Sequence, residues 1–127
     1  MRVVISAGGT GGHIYPALAI INKIKDIEPN SSFLYIGTTD RMEKDIIPEL
    51  GIPYVGIEMK GINRKKILDN VKVLLMYRKA IKKAKEEIKK FKPDVVLGVG
   101  GYITAPVIIA AHKAGYKSWA KLNTRSF

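Results

Sequence analysis

Two short apolar runs each end in a cluster of glycines, and this recurrence limits the folds open to the chain more than any other feature. Arg2–Ala7 (RVVISA) is β-branched and unbroken, and it runs into Gly8, Gly9, Thr10, Gly11 and Gly12. Val95–Leu97 runs in the same way into Gly98, Gly100 and Gly101. A continuous apolar run stopped by glycine reads as a strand buried on both faces. Beyond the first cluster, Pro16 suits the first turn of a helix, and Ala17, Ile20, Ile21, Ile24 and Ile27 follow at helical spacing up to Pro29. Phe33–Ile36 and Tyr54–Ile57 read as two further strands. Between them Asp40 and Glu43 form a capping-box-like pair on a stripe of Met42, Ile46, Ile47 and Leu50, which Gly51 stops. A long helix is expected from about Ile67 to Phe91, ended by Lys92-Pro93, and another from Pro106 to Ala114, closed by Gly115. Strands alternating with helices at this rhythm imply an α/β fold, a Rossmann-like parallel sheet with right-handed crossovers and helices on both faces. Tyr116–Phe127 reads as an edge strand or as a tail, because Lys117, Ser118, Lys121 and Asn123 do not suit a buried strand.

The chain's 127 residues fit one domain, and an apolar share of 46% is enough to build its core. Having no cysteine, it has no disulfide framework, thiolate metal site or cysteine nucleophile. No apolar run approaches the roughly 18 residues of a membrane span, and the first residues form a strand rather than a signal peptide, so a cytoplasmic location is expected. The charge is concentrated. Of 22 Lys and Arg, 13 lie between residues 60 and 92, with only three of the 11 Asp and Glu. Such a segment suits an anionic membrane surface, a phosphorylated ligand or nucleic acid, and equally a solvated lysine-rich helix face; charge alone does not choose. Nucleic acid is not expected, since interleaved aromatics and a reader motif are lacking.

The first glycine loop, Gly8 to His13, joins a strand to a helix. Glycine lets backbone approach a ligand closely, and the following helix N-terminus favours an anion. A GxGxxG pattern from Gly9 would need glycine where Ile14 stands, and no Gly-Lys-Ser/Thr follows, so neither a dinucleotide fingerprint nor a P-loop is present. The loop reads as a seat for a phosphate or sugar diphosphate, or simply as a tight turn. His13, where loop meets helix, suits a general base or a structural cap; the helix N-terminus favours its neutral form. His112, late in its helix, reads as structural.

Gly8-Gly9-Thr10-Gly11-Gly12-His13-Ile14-Tyr15-Pro16-Ala17-Leu18-Ala19 resembles the opening loop of the MurG family, glycosyltransferase family 28. The resemblance continues at Gly37-Thr38, Arg41-Met42-Glu43, Gly51-Ile52, Lys92-Pro93-Asp94-Val95-Val96-Leu97-Gly98, Gly100-Gly101-Tyr102 and Pro106. It covers residues 1–115 and implies one half of a GT-B glycosyltransferase, the N-terminal acceptor and membrane side, without the donor-binding domain; residues 116–127 form an atypical end. It further implies an inverting transfer of N-acetylglucosamine from UDP-GlcNAc to an undecaprenyl-diphosphate-linked muramyl pentapeptide, at the inner face of the plasma membrane, with no cofactor and no metal. Thr10, Gly11 and Gly12 would contact the nucleotide-sugar, His13 would be the base, and Gly100, Gly101 and Tyr102 would hold the acceptor diphosphate. A membrane and acceptor patch is expected from Arg64, Lys65, Lys66, Leu68, Lys72, Val73, Met76, Arg78 and Lys79, beside a helix face of Ile67, Val71, Leu74, Leu75, Ile81 and Ile88 packed on the sheet. The chain alone is expected to be inactive. The alternative is a stand-alone membrane-associated subunit of a split glycosyltransferase.

Overall fold

A computed structural model describes residues 1–8, 14–39, 43–58, 71–101 and 103–120. The order is β1 (Arg2–Ala7), α1 (Ile14–Ile27), β2 (Ser32–Thr38), α2 (Glu43–Glu49), β3 (Tyr54–Ile57), α3 (Val71–Phe91), β4 (Val95–Gly100), α4 (Thr104–Lys113) and β5 (Ser118–Ala120). The five strands form one sheet in the order β3-β2-β1-β4-β5, with every neighbouring pair parallel. The strand order therefore reverses between β1 and β4, the position in such sheets where ligands bind beyond the carboxyl ends.

The unbroken apolar character of β1 follows from its central place, since both of its faces are covered. Val3, Ile5 and Ala7 pack with Ala17 and Ile21 of α1 and Ile47 of α2. Val4 faces the other way, onto Ala80, Ala84 and Ile88 of α3 and Val107, Ala110 and Ala111 of α4. The alanines on these two helices let their backbones approach each other and the sheet closely. At the base of the sheet, Arg2 joins three elements. Its backbone N–H donates to Asp94 Oδ2 at 2.7 Å, its Nε donates to the Phe91 carbonyl at 2.9 Å, and its guanidinium lies 4.2 Å from the Phe91 ring centroid.

Three expectations for the apolar stripes need correction. Ile27 is exposed, because it lies at the margin of its stripe in the last turn of α1. Leu50 is exposed as well: α2 ends at Glu49, and the closing turn through Gly51 puts Ile52 into the core instead. Leu74 and Leu75 do not pack on the sheet but are 45% and 53% exposed. Length explains this last difference. The 21 residues of α3 span about 31 Å at 1.5 Å each, whereas a six-residue strand such as β4 spans about 20 Å. The lower end of α3 is fixed beside Arg2, so its first turns extend past the carboxyl rim, where no strand lies to cover them. Tyr77 takes the packed position on the next turn, half-buried against the core, and desolvation raises its phenol above the ordinary tyrosine value.

Candidate functional site

The carboxyl rim between β1 and β4 brings the two glycine clusters together. Along this strand pair Ser6 lies opposite Gly98, but Ala7 lies opposite Gly100, so Val99 is an extra residue on β4. Such a bulge re-aims the chain that follows it. Here it places the Gly100 carbonyl where it accepts the Gly8 N–H at 3.3 Å. Gly8, Gly100 and Gly101 have φ of 133°, 137° and 93°, a region side chains with a Cβ rarely occupy. A Cβ on Gly101 would run into the carbonyl of Gly8. Glycine is required here because two backbones touch.

Thr104, the first residue of α4, secures the second cluster. Its Oγ1 donates to the Gly100 carbonyl at 2.9 Å and accepts the Gly100 N–H at 3.2 Å, while its backbone N–H donates to the Gly101 carbonyl at 3.2 Å. Its methyl lies over Gly98, where a Cβ would meet that methyl as well as Ile108 Cγ1 at 3.2 Å. Gly98→Ala is accordingly expected to destabilise the chain by roughly 1–3 kcal/mol through overpacking. Adding Thr104→Ser, which removes the methyl and keeps the hydroxyl, should recover part of that loss. Additive losses in urea melts of the two single variants and the double would contradict this contact.

Both α1 and α4 start at this rim, each following the strand it packs against, so two helix N-termini with their partial positive charges flank the switch point. Below the rim, Ser6 Oγ and Thr38 Oγ1 are fully buried on the α3 face and have no hydrogen-bond partner among the described residues. A groove of about 410 Å³ opens at the opposite end of the sheet, lined by Arg2, Lys25, Phe33, Ile52 and Phe91 among others. It is concave but lies at the amino ends of the strands, and its two cations sit over the rings of Phe91 and Phe33. The rim is where the chemistry points.

Of the residues expected at the site, Gly100 and Gly101 stand at the rim in contact with the start of the first glycine loop. Thr10, Gly11, Gly12, His13 and Tyr102 lie outside the described residues, as do Arg64, Lys65, Lys66 and Leu68. Lys72 and Val73 fall in the first turn of α3, with their side chains outside the description. Met76 is half-buried, and Arg78 and Lys79 are exposed. His112 is exposed on the last turn of α4 rather than packed into the structure. Thr104 was not among the expected residues, although a threonine shortly after a glycine pair at a helix start is a common capping signal. Among the described residues no helix is long and apolar enough to cross a membrane.

Known proteins resemble this chain in sequence and in fold. The glycosyltransferase family 28 N-terminal domain matches residues 3–120. A Bacillus licheniformis protein named UDP-N-acetylglucosamine–N-acetylmuramyl-(pentapeptide) pyrophosphoryl-undecaprenol N-acetylglucosamine transferase is 51% identical over 115 residues, covering 91% of this chain and 31% of that protein. A Bacillus anthracis protein of the same name, numbered 1, is 50% identical over 91% of this chain and 32% of its own length. The chain thus spans about a third of the length of the curated relatives it matches. The crystal structure of Acinetobacter baumannii MurG superposes with a TM-score of 0.78 at 27% identity, covering 94% of this chain and 34% of that one. A Methanocaldococcus jannaschii UDP-GlcNAc 2-epimerase shares the fold at a TM-score of 0.65 and 20% identity, over 98% and 33% of the two chains. By sequence and fold together this chain belongs to glycosyltransferase family 28, as its N-terminal domain.

Proposed function

We propose that this chain is the acceptor and membrane side of a GT-B enzyme. The whole enzyme transfers N-acetylglucosamine, with inversion, from UDP-GlcNAc to a muramyl pentapeptide carried on undecaprenyl diphosphate. The observation that carries this reading is the backbone contact between Gly8 and Gly100–Gly101 at the switch point, flanked by the starts of α1 and α4. An inverting displacement at an anomeric carbon needs a base on the acceptor hydroxyl and positive dipoles near the diphosphates. In this reading His13 is the base, Thr10, Gly11 and Gly12 touch the nucleotide-sugar, and Gly100, Gly101 and Tyr102 hold the acceptor diphosphate. Residues 1–115 form the acceptor-side domain, and of the atypical end 116–127 the strand β5 joins that domain's sheet at its edge.

The same reading places the protein in the cytoplasm, peripheral to the inner face of the plasma membrane. The exposed turns of α3 bear Leu74 and Leu75, with Arg78 and Lys79 one turn further on. An apolar tip with a cationic collar suits an anionic lipid surface, and the tip lies at the same rim as the glycines, where a lipid-borne diphosphate would arrive. Catalysis requires donor and acceptor held together, so residues 1–127 by themselves should bind the acceptor but not turn over.

The test is a titration of the ¹⁵N-labelled chain with the lipid-linked acceptor in anionic vesicles, followed by a transfer assay with UDP-GlcNAc. Relative to the same vesicles without acceptor, additional shifts confined to the amides of Gly8, Gly100, Gly101 and their neighbours, with no N-acetylglucosamine transferred, are expected. Acceptor binding that leaves those amides unmoved, or turnover by the chain alone, would overturn the assignment.

A further inference from the structure

We propose that Thr104 is a positioning residue for the whole glycine rim: its hydroxyl fixes the Gly100 peptide groups and, through them, the start of the first glycine loop. A threonine at the start of a helix ordinarily caps that helix by accepting one of its free amides. Here α4 has Ile103 at the N-cap with no side-chain cap bond, and the Thr104 hydroxyl turns back to the strand end. It makes both of its hydrogen bonds to one residue, donating to the Gly100 carbonyl at 2.9 Å and accepting the Gly100 N–H at 3.2 Å.

The residue it holds has the least restraint of its own. Gly100 sits at φ 137°, followed by Gly101 at φ 93°, and neither has a Cβ to limit rotation of the peptide between them. Thr104 supplies that restraint from outside. Its own orientation is set by burial, with 9% of the residue exposed and the methyl seated over Gly98. A rotated side chain would put the methyl where the hydroxyl now lies and leave both polar groups of Gly100 without it.

The Gly100 carbonyl that accepts from Thr104 accepts from the Gly8 N–H as well, at 3.3 Å. One oxygen therefore receives a side chain of α4 and the backbone that opens the first loop. Loosening Thr104 frees this oxygen to turn and releases Gly8 together with Gly100, although Gly8 lies some ninety residues earlier in the sequence. The ligand class, an inorganic or sugar-linked diphosphate, rests on the function proposed above; the clamp itself does not.

The experiment separates the two. Thr104→Val keeps the shape and removes the hydroxyl, whereas Thr104→Ser keeps the hydroxyl and removes the methyl. Without ligand, amide exchange at Gly8 and Gly100 should speed up at least about tenfold in the valine variant relative to its most protected core amides, and clearly less in the serine variant, which keeps the hydroxyl but loses the methyl that seats it. Inorganic pyrophosphate should shift the Gly8, Gly100 and Gly101 amides of the wild type and the serine variant alike, and bind the valine variant about tenfold more weakly. Unchanged exchange at Gly8 and Gly100 in the valine variant, or a serine variant as loose as valine, overturns the clamp. If valine does not fold, Thr104→Ala set against Thr104→Ser removes the hydroxyl alone. Faster exchange in the valine variant of a chain that ignores pyrophosphate would uphold the clamp and remove the diphosphate reading.

Discussion

Gly101→Ala should unfold the chain or cost it on the order of 4 kcal/mol, more than alanine at Gly37, Gly51, Gly56, Gly98 or Gly115. Two terms combine. Gly101 has φ +93°, where an L side chain is strained by about 1–2 kcal/mol. Its new Cβ would also collide with the carbonyl of Gly8, which is backbone and cannot rotate out of the way. Relief would require β1 and β4 to part at the rim, breaking the Gly8 N–H bond to Gly100. Gly51 and Gly115 provide the controls, because they have similar positive φ, +79° and +81°, but open space around the missing Cβ. Alanine at either should cost about 1–2 kcal/mol, from backbone strain alone. Urea melts of the three variants compare the terms directly. If Gly101→Ala melts with Gly51→Ala, the two glycine turns are not in contact as described.

The alternation of strand and helix was legible because the central strands are covered on both faces and so carry unbroken apolar runs. Gly8, Gly100 and Gly101 could be recognised as turns, but their contact could not. It depends on the extra residue Val99 in β4 and on β1 and β4 lying side by side, a pairing of positions far apart in sequence. Thr104 escaped notice for the same reason, since its partners are made by the bulge. Periodicity marked Leu74 and Leu75 as apolar residues of a helix, and a helix face is as far as periodicity reaches. Which turns have a sheet beneath them depends on the relative lengths of α3 and β4 and on where Arg2 fixes the lower end. Ile27 and Leu50 were misplaced at element ends, where the stripe leaves the core before the pattern stops. For His13 and the rest of the first loop, residue type and position remain the basis of the assignment.

Arg78→Glu combined with Lys79→Glu should weaken binding to anionic vesicles by roughly a hundredfold while leaving the melting curve almost unchanged. Both side chains are exposed, and surface substitutions of this kind usually alter stability by less than about 0.5 kcal/mol. Near an anionic leaflet each cation contributes about 1 kcal/mol, so reversing two of them removes that attraction and adds repulsion, on the order of 3 kcal/mol in all. Leu74→Ser with Leu75→Ser tests the other half of the surface. Each leucine is about half exposed, and burying what remains in the interface is worth about 1 kcal/mol, so the pair should lose about thirtyfold. The two variants should differ in their dependence on conditions. The charge reversal should abolish most of the preference for anionic over neutral vesicles and most of the salt sensitivity, since exposed charges are screened over about 10 Å at 0.1 M salt. The serine pair should bind more weakly to both kinds of vesicle and keep its salt dependence. A wild-type chain that binds neutral and anionic vesicles equally, at any salt, would leave α3 a solvated lysine-rich helix whose first turns simply outreach the sheet.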